Sequence, residues 1–305
     1  MESKQAECGL KVAYWWSEKK SREMNTDEFN TYLRNHGIQL LQLNFNESLS
    51  KQGPFEVVIH KLCDVMVKAD TGDEYAKIIV SNFENYCKEN PEMILIDPLD
   101  KVRILLNRYR QYKLIHESDL GSEMNVFIPT FVELTSKDKQ ENMKKLKEAC
   151  VRYPFVCKPL VTQGTTLAHE MSIIFCENGL DDINPPCVAQ TFINHNARLF
   201  KLSVIKDEYY IVERPSLKNF KAGDYPTIHF FSHDISRPKC FNSLTELDPD
   251  DRMNLDSNEP DKRTIDKIVE VLNEKLGIAL YGVDLIIENE TGRHGIIDLN
   301  IFPSK

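Results

Sequence analysis

The residues best suited to chemistry lie near the C-terminus. Asp284 sits in one apolar run, Ile278–Glu288, and Asp298 and Asn300 sit in another, His294–Phe302. The two runs read as a hairpin turning through Asn289-Glu290-Thr291-Gly292. Residues two apart on a strand share a face, so Asp298 and Asn300 point the same way. Pairing Glu288 with His294 sets Asp284 directly opposite Asp298. Two carboxylates and an amide oxygen then converge on one surface. Such a hard-oxygen set suits Mg²⁺, which takes a few protein oxygens together with substrate phosphates. The plainer alternative is a hairpin with one wet face. Against it, Leu285, Ile286, Ile287, Ile296 and Ile297 make both faces apolar, and unpaired carboxylates among them would be costly.

A second feature is Lys158 followed by Val161-Thr162-Gln163-Gly164-Thr165-Thr166. Gly164 would let backbone N–H groups approach an anion, and the threonines add donors. With a single glycine, an ordinary β-turn is the stronger reading of this segment taken alone. Basic residues cluster near predicted strand ends: Lys19, Lys20, Lys61, Arg108, His169, Lys201, Arg214 and Lys218. Each by itself reads as surface, but Lys201 and Arg214 fall on strands of an otherwise apolar hairpin. If they converge, the cleft is positive and suits a small, dense polyanion. There is no G-x-S-x-G elbow and no G-x-G-x-x-G, which argues against a classical dinucleotide fold.

Positioning these groups requires an α/β frame. The first third alternates strand and helix, with strands at 11–16, 38–45, 57–59 and 93–96. Helices are predicted from Thr26 until Gly37 stops the first as a C′ residue, over 75–86, and from Leu99 to His116. After Glu117 come a charged helix over 141–150 and short strands at 155–158, 171–176, 187–192, 199–205 and 209–213. The segment 241–262 is acidic and reads as a solvated loop. Residues 263–276 form an amphipathic helix stopped by Gly277.

Composition narrows the field. The chain has 305 residues, 41% hydrophobic and 28% charged, with a net charge of −9. That allows a sizeable core and about two domains by length. An extended-polyanion binder such as a duplex-DNA protein is disfavoured. The eight cysteines, from Cys8 to Cys240, form no C-x-x-C pair and read as buried, reduced thiols of a cytoplasmic protein. No secretory leader and no membrane-length apolar run is expected.

Several segments, taken together, carry a resemblance. They are Tyr14-Trp15-Trp16-Ser17-Glu18-Lys19-Lys20, Ile59-His60-Lys61-Leu62, Asp97-Pro98-Leu99, Pro154-Phe155-Val156-Cys157-Lys158 and His169-Glu170-Met171. Further on come Phe192-Ile193-Asn194-His195-Asn196, the run 213–220, Gly282-Val283-Asp284, and Asp298-Leu299-Asn300-Ile301-Phe302-Pro303. In this order they resemble the inositol tetrakisphosphate 1-kinases (inositol 1,3,4-trisphosphate 5/6-kinases) of animal type.

The resemblance implies an ATP-grasp fold of three lobes, at 1–118, 119–195 and 196–305, with ATP between the last two. It implies phosphoryl transfer from ATP to a free hydroxyl of an inositol polyphosphate, with two Mg²⁺ ions. The implied substrates are inositol 3,4,5,6-tetrakisphosphate at position 1 and inositol 1,3,4-trisphosphate at position 5 or 6. Nucleotide contacts would come from Arg108, Lys158, Gly164, Gln190, Phe192, Ser216, Ser232 and Ser236. Substrate phosphates would be gripped by Lys20, Lys61, His169, Lys201 and Arg214, with Asn300 also touching substrate. Asp284, Asp298 and Asn300 would hold metal, and Lys158, His169, Lys201 and Asp298 would carry the catalysis. A monomer is expected, without nucleic-acid or membrane partners. Gln163 departs from the family at an often basic loop position. Relatives also continue past Asn-x-Phe-Pro, so the last lobe is expected to be cut short. The alternatives are an ATP-grasp carboxylate–amine ligase and an inactive inositol-phosphate-binding fragment.

Overall fold

The protein is described from a computed structural model, which covers residues 9–121, 125–164, 166–239, 242–252 and 259–303. Cys8, Cys240, Thr165 and the terminal Ser304-Lys305 lie outside the described residues, as does the side chain of Thr166. The described chain divides into two compact units, one running to Arg103 and one from Ile104.

The N-terminal unit is built on a parallel four-stranded sheet. Its strands are β1 (Lys11–Trp15), β2 (Gln39–Gln42), β3 (Val57–His60) and β4 (Ile94–Ile96), in the order β2-β1-β3-β4. The expected strands are all present, though the second is shorter at both ends than the predicted 38–45. Helices cover Thr26–Asn35 and Glu74–Glu89. The second is capped by Asp73, whose side chain accepts from Ala76 N, and it buries Ile79, Val80 and Phe83. Short helices at Glu18–Glu23 and Cys63–Asp70 were not anticipated.

The C-terminal unit holds two five-stranded sheets. Its strands are β5 (Val126–Phe127), β6 (Phe131–Leu134), β7 (Phe155–Pro159), β8 (Glu170–Ile174) and β9 (Cys187–Thr191), then β10 (Arg198–Ile205), β11 (Glu208–Pro215), β12 (Ile228–Phe231), β13 (Leu280–Ile287) and β14 (His294–Ile301). The first sheet runs β12-β8-β7-β9-β6 and is antiparallel throughout. The second runs β11-β10-β13-β14-β5, with only β14 and β5 parallel. Strands β5 and β12 therefore join sheets whose other members are distant in sequence.

One face of the first sheet packs Phe155, Cys157, Ile174 and Cys187 with Leu146 of the helix Lys139–Glu148. The other face presents Val156, Met171 and Ile173, packed with Leu217 and Ile235. Behind the second sheet, the helix Lys262–Leu276 buries Ile265, Ile268, Val269 and Leu272. Asp261 caps its start, accepting from Thr264 N, and Gly277 ends it at φ +62°, where a side chain would be strained. The Tyr281 hydroxyl lies 2.9 Å from Asn273 Oδ1, tying that helix to β13.

Two departures from the sequence reading matter for the site. The predicted continuous helix 99–116 is two, Leu99–Leu105 and Arg108–His116. Asn107 is extended between them and accepts from Arg110 N, an N-cap that restarts the helix. In that break the chain bonds Leu160 and Thr162: Arg108 N donates to Leu160 O, and Thr162 N to Leu106 O. The C-terminal hairpin pairs Ile287, not Glu288, with His294. A one-residue bulge at Ile297 then restores the expected pairing of Asp284 with Asp298. Among the described cysteines no disulfide forms. Among the described residues no helix is long and apolar enough to cross a membrane.

Candidate active site

A cavity of about 300 Å³ lies between the two sheets of the C-terminal unit. Its apolar wall includes Val156, Met171, Leu199, Leu217, Ile235 and Ile286. Its polar groups are held by an interlocked set of bonds.

Lys158, next to last in β7, is buried. Its Nζ donates to Gln190 Oε1 (2.8 Å), to the Tyr112 hydroxyl (2.9 Å) and to the bulged Ile297 carbonyl (2.8 Å). All three ammonium protons are thereby directed. Burial pulls this ammonium down to about 8, against the opposing pull of Asp298. Tyr112 also donates to Ile297 O at 2.8 Å. Gln190 keeps its Nε2 buried and without a partner among the described residues, while lining the cavity. A buried amide donor left open in a cavity fits a ligand acceptor, such as a base nitrogen.

The restarted helix places Arg108 and Tyr112 one turn apart, on one face. Arg108 is buried; it donates to Pro159 O and reaches Asp298 Oδ2 at 3.4 Å. Burial opposes its charge, but Asp298 and Tyr112 outweigh that and the guanidinium is raised above its ordinary value. Asp284 is engaged on both oxygens: Lys201 Nζ donates to Oδ2 and Asn300 Nδ2 to Oδ1, each at 3.1 Å. Lys201 lies opposite Asp284 across β10–β13, and Gly282 lies opposite Asn300. A Cβ on Gly282 would meet Asn300 Cβ at 3.3 Å, so the glycine leaves the amide its room.

The chain thus brings together Asp284, Asp298, Asn300, Lys201, Arg108, Lys158, Gln190, Phe192 and Ser216 as cavity lining. His169, Ser232 and Ser236 line it as well. The His169 ring is exposed, with Nδ1 3.4 Å from Ser232 Oγ. Ser236 spends its hydroxyl on Ser232 O.

Gly164 and Arg214 are not among the lining residues. Gly164 sits in a left-handed turn at φ +86°, and its neighbours Thr162 and Gln163 form the wall instead. The Thr162 hydroxyl is committed to Leu105 O. Arg214 lies on edge strand β11 and donates to Glu213 O. Lys20 and Lys61 belong to the N-terminal unit: Lys20 is buried in the helix Glu18–Glu23, and Lys61 directly follows β3.

Sequence reasoning missed three contributors. Tyr112 and the Ile297 carbonyl orient Lys158, and His195 sits fully engaged beneath Ser216. The four-residue spacing of Arg108 and Tyr112 was a usable signal for the first. Nothing local marked the other two.

The metal fit rests on donor chemistry. Among the described residues, no three His, Cys, Asp or Glu side chains gather as a ready-made metal site. What gathers is two carboxylates and one amide, already neutralised by Lys201 and Arg108. That set fits a Mg²⁺ ion that arrives with phosphates and draws oxygens from them.

The fold and the cavity define a class. The chain resembles D-cycloserine synthetase DcsG (13% identity, TM-score 0.57, 97% of this chain and 92% of that one). It also resembles a RimK-domain ATP-grasp protein from Sphaerobacter thermophilus (13% identity, TM-score 0.55, 96% and 91%). At such identity the likeness is one of fold, and the fold is ATP-grasp.

Residues 11–102 match the inositol 1,3,4-trisphosphate 5/6-kinase pre-ATP-grasp domain, and residues 121–305 the ATP-grasp domain of the same family. The chain belongs to the inositol 1,3,4-trisphosphate 5/6-kinase family. It is 42% identical to an inositol-tetrakisphosphate 1-kinase of Danio rerio and 41% to one of Xenopus laevis. Each match covers 97% of this chain and 74% of the relative.

Proposed function

We propose that this protein transfers the γ-phosphoryl group of ATP to a free hydroxyl of an inositol polyphosphate. The inositol 3,4,5,6-tetrakisphosphate 1-hydroxyl and the 5- or 6-hydroxyl of inositol 1,3,4-trisphosphate are the acceptors. The observation that carries this reading is the pairing of each cavity carboxylate with a cation, Asp284 with Lys201 and Asp298 with Arg108. Both cations can exchange a carboxylate for a phosphate, and both carboxylates then face a cation brought by the nucleotide.

Donor and acceptor are both anionic, so the chemistry is one of positioning and charge neutralisation. Gln190 offers its open amide to the base, and Phe192 with the aliphatic wall encloses it. Lys158, held in the cavity by three acceptors, would turn a proton from one of them to a phosphate oxygen when the nucleotide binds. Mg²⁺, when bound with the nucleotide, would supply charge neutralisation at its phosphates. Asp284, Asp298 and Asn300 are the residues that would hold it. Lys201, Arg214 and His169 grip the inositol phosphates; for Lys20 and Lys61 the same role rests on the family resemblance alone. His169 is given a gripping role because a loose transition state gains little from early deprotonation of the hydroxyl. Transfer is direct and in line, with no phosphoenzyme.

The test is a panel of inositol phosphates incubated with ATP and Mg²⁺, with product isomers resolved. A product carrying one more phosphate, and no covalently labelled chain from radiolabelled ATP, is expected. ATP consumption that answers to amino acids and not to inositol phosphates would replace this reading with a ligase.

A further inference from the structure

His195 has no role in the scheme above, yet it is buried and lines the cavity. Its Nδ1 lies 2.6 Å from the Ile193 carbonyl, and its Nε2 lies 2.7 Å from Ser216 Oγ. A carbonyl can only accept, so Nδ1 carries the proton. Burial lowers the ring to about 4, which keeps it neutral. Nε2 therefore offers a lone pair, and Ser216 must donate its hydroxyl proton to it.

The consequence falls on Ser216. Its backbone is fixed by donation from Ser216 N to Ala197 O at 2.8 Å. With its proton spent, the buried oxygen presents only lone pairs to the cavity. The histidine is not free to turn. Next to it, Asn196 N donates to Asn219 Oδ1 (3.0 Å), and Asn289 Nδ2 donates to Asn196 Oδ1 (2.8 Å). The ring also packs against Phe192 at a tilt of 55°, with centroids 5.6 Å apart.

We infer that His195 is a positioning residue that holds Ser216 as an obligate hydrogen-bond acceptor, and that the pair thereby selects a ribose hydroxyl of the nucleotide. An acceptor-only oxygen cannot hold a phosphate, whose oxygens are themselves acceptors. It also cannot hold a base ring nitrogen, which the Gln190 amide is suited to take. The nucleotide's remaining donors are the base amino group and the sugar hydroxyls; Ser216 is assigned to the sugar, and the IDP arm below tests the base. This rests on the nucleotide reading of the cavity and adds sugar specificity to it.

The test is binding, so it stands apart from turnover. Dissociation constants of ADP, 2′-deoxy-ADP, 3′-deoxy-ADP and IDP are measured by calorimetry on the full chain and on Ser216→Ala, His195→Phe and His195→Gln. The full chain is expected to bind ADP about ten- to a hundredfold more tightly than one deoxy analogue, the effect of one unmatched buried acceptor. Ser216→Ala brings that ratio close to one. His195→Phe, which keeps a ring but has no acceptor, lowers it as well, and His195→Gln restores it by returning an acceptor. The ADP/IDP ratio stays constant, because it reads the base amino group. Equal binding of ADP and both deoxy analogues by the full chain overturns the inference, as does a wild-type ratio in Ser216→Ala. A change confined to the IDP arm moves Ser216 to the base and also overturns it. If His195→Phe does not fold, Ser216→Ala decides alone. Absence of any ADP binding refutes the nucleotide reading itself.

Discussion

Asp298→Ala is expected to remove activity and also to weaken the fold, and the second effect can be sized. Arg108 keeps 4% of its side chain exposed and Asp298 15%, and Asp298 is the one carboxylate paired with it among the described residues. Removing one partner of such a pair strands a buried charge, at about 3–5 kcal/mol. The N–O separation of 3.4 Å and the partial exposure of Asp298 place this case at the low end, about 3 kcal/mol. In a unit spanning 104–304, that lowers the thermal midpoint by roughly 6–12 °C. The double variant Arg108→Met/Asp298→Ala removes the stranded charge along with its partner. It should recover at least half of the lost midpoint while remaining inactive. Thermal unfolding by circular dichroism, read beside turnover, compares the three proteins. A single variant melting within about 2 °C of wild type would refute the stranded-charge reasoning. Near-normal turnover in it would remove Asp298 from the metal.

The other expectations follow from particular contacts. His60 is buried, its Nε2 donates to the Asp97 carbonyl at 2.7 Å, and burial lowers it to about 4. The unfolded chain binds this proton first, so stability is lost as pH falls from 6.5 to 4, by about 3 kcal/mol in total. His60→Gln should flatten the urea midpoint of the N-terminal unit across that window; an unchanged slope counts against it. Lys201→Met frees one Asp284 oxygen, so Mn²⁺ binding to the nucleotide-free protein, followed by electron paramagnetic resonance, should tighten severalfold while turnover falls. Unchanged or weaker Mn²⁺ binding would separate Lys201 from the metal. Tyr112→Phe takes one of three acceptors from Lys158, at about 1–2 kcal/mol of stability, and should raise KM for ATP more than it lowers kcat. Chelation with excess EDTA should stop turnover, and added Mg²⁺ should restore it.

What the sequence made legible was local. The strand at 155–158, the hairpin 199–213 and the helix 263–276 carry their own periodicity, caps and turn residues, and the structure keeps them with small shifts at their ends. The helix break at Asn107 was also written locally, as a capping residue, but the apolar stripe through Leu105 and Leu106 masked it. Strands β5, β6 and β12 were not read, because they are short and are defined by partners far along the chain. The carboxylate pair was placed correctly through a turn register one residue off, and the bulge absorbed the difference. Tyr112 and His195 look like ordinary core residues. Their roles lie in which polar atom each one faces, and that is a property of the assembled cavity.

The bulge at Ile297 separates two requirements that a regular ladder would merge. Deleting that single residue would leave Leu285 opposite Ile296 and Asp284 opposite Asp298, so the acidic pair and Asn300 would keep their face. What would vanish is the outturned carbonyl that Lys158 and Tyr112 share. The extra residue is thus an insertion that Asp284, Asp298 and Asn300 do not need and the lysine does. Chains of this fold that are one residue shorter at this point would be expected to hold the same acids but a less restrained lysine. A single-codon deletion would create that difference without altering any charged group.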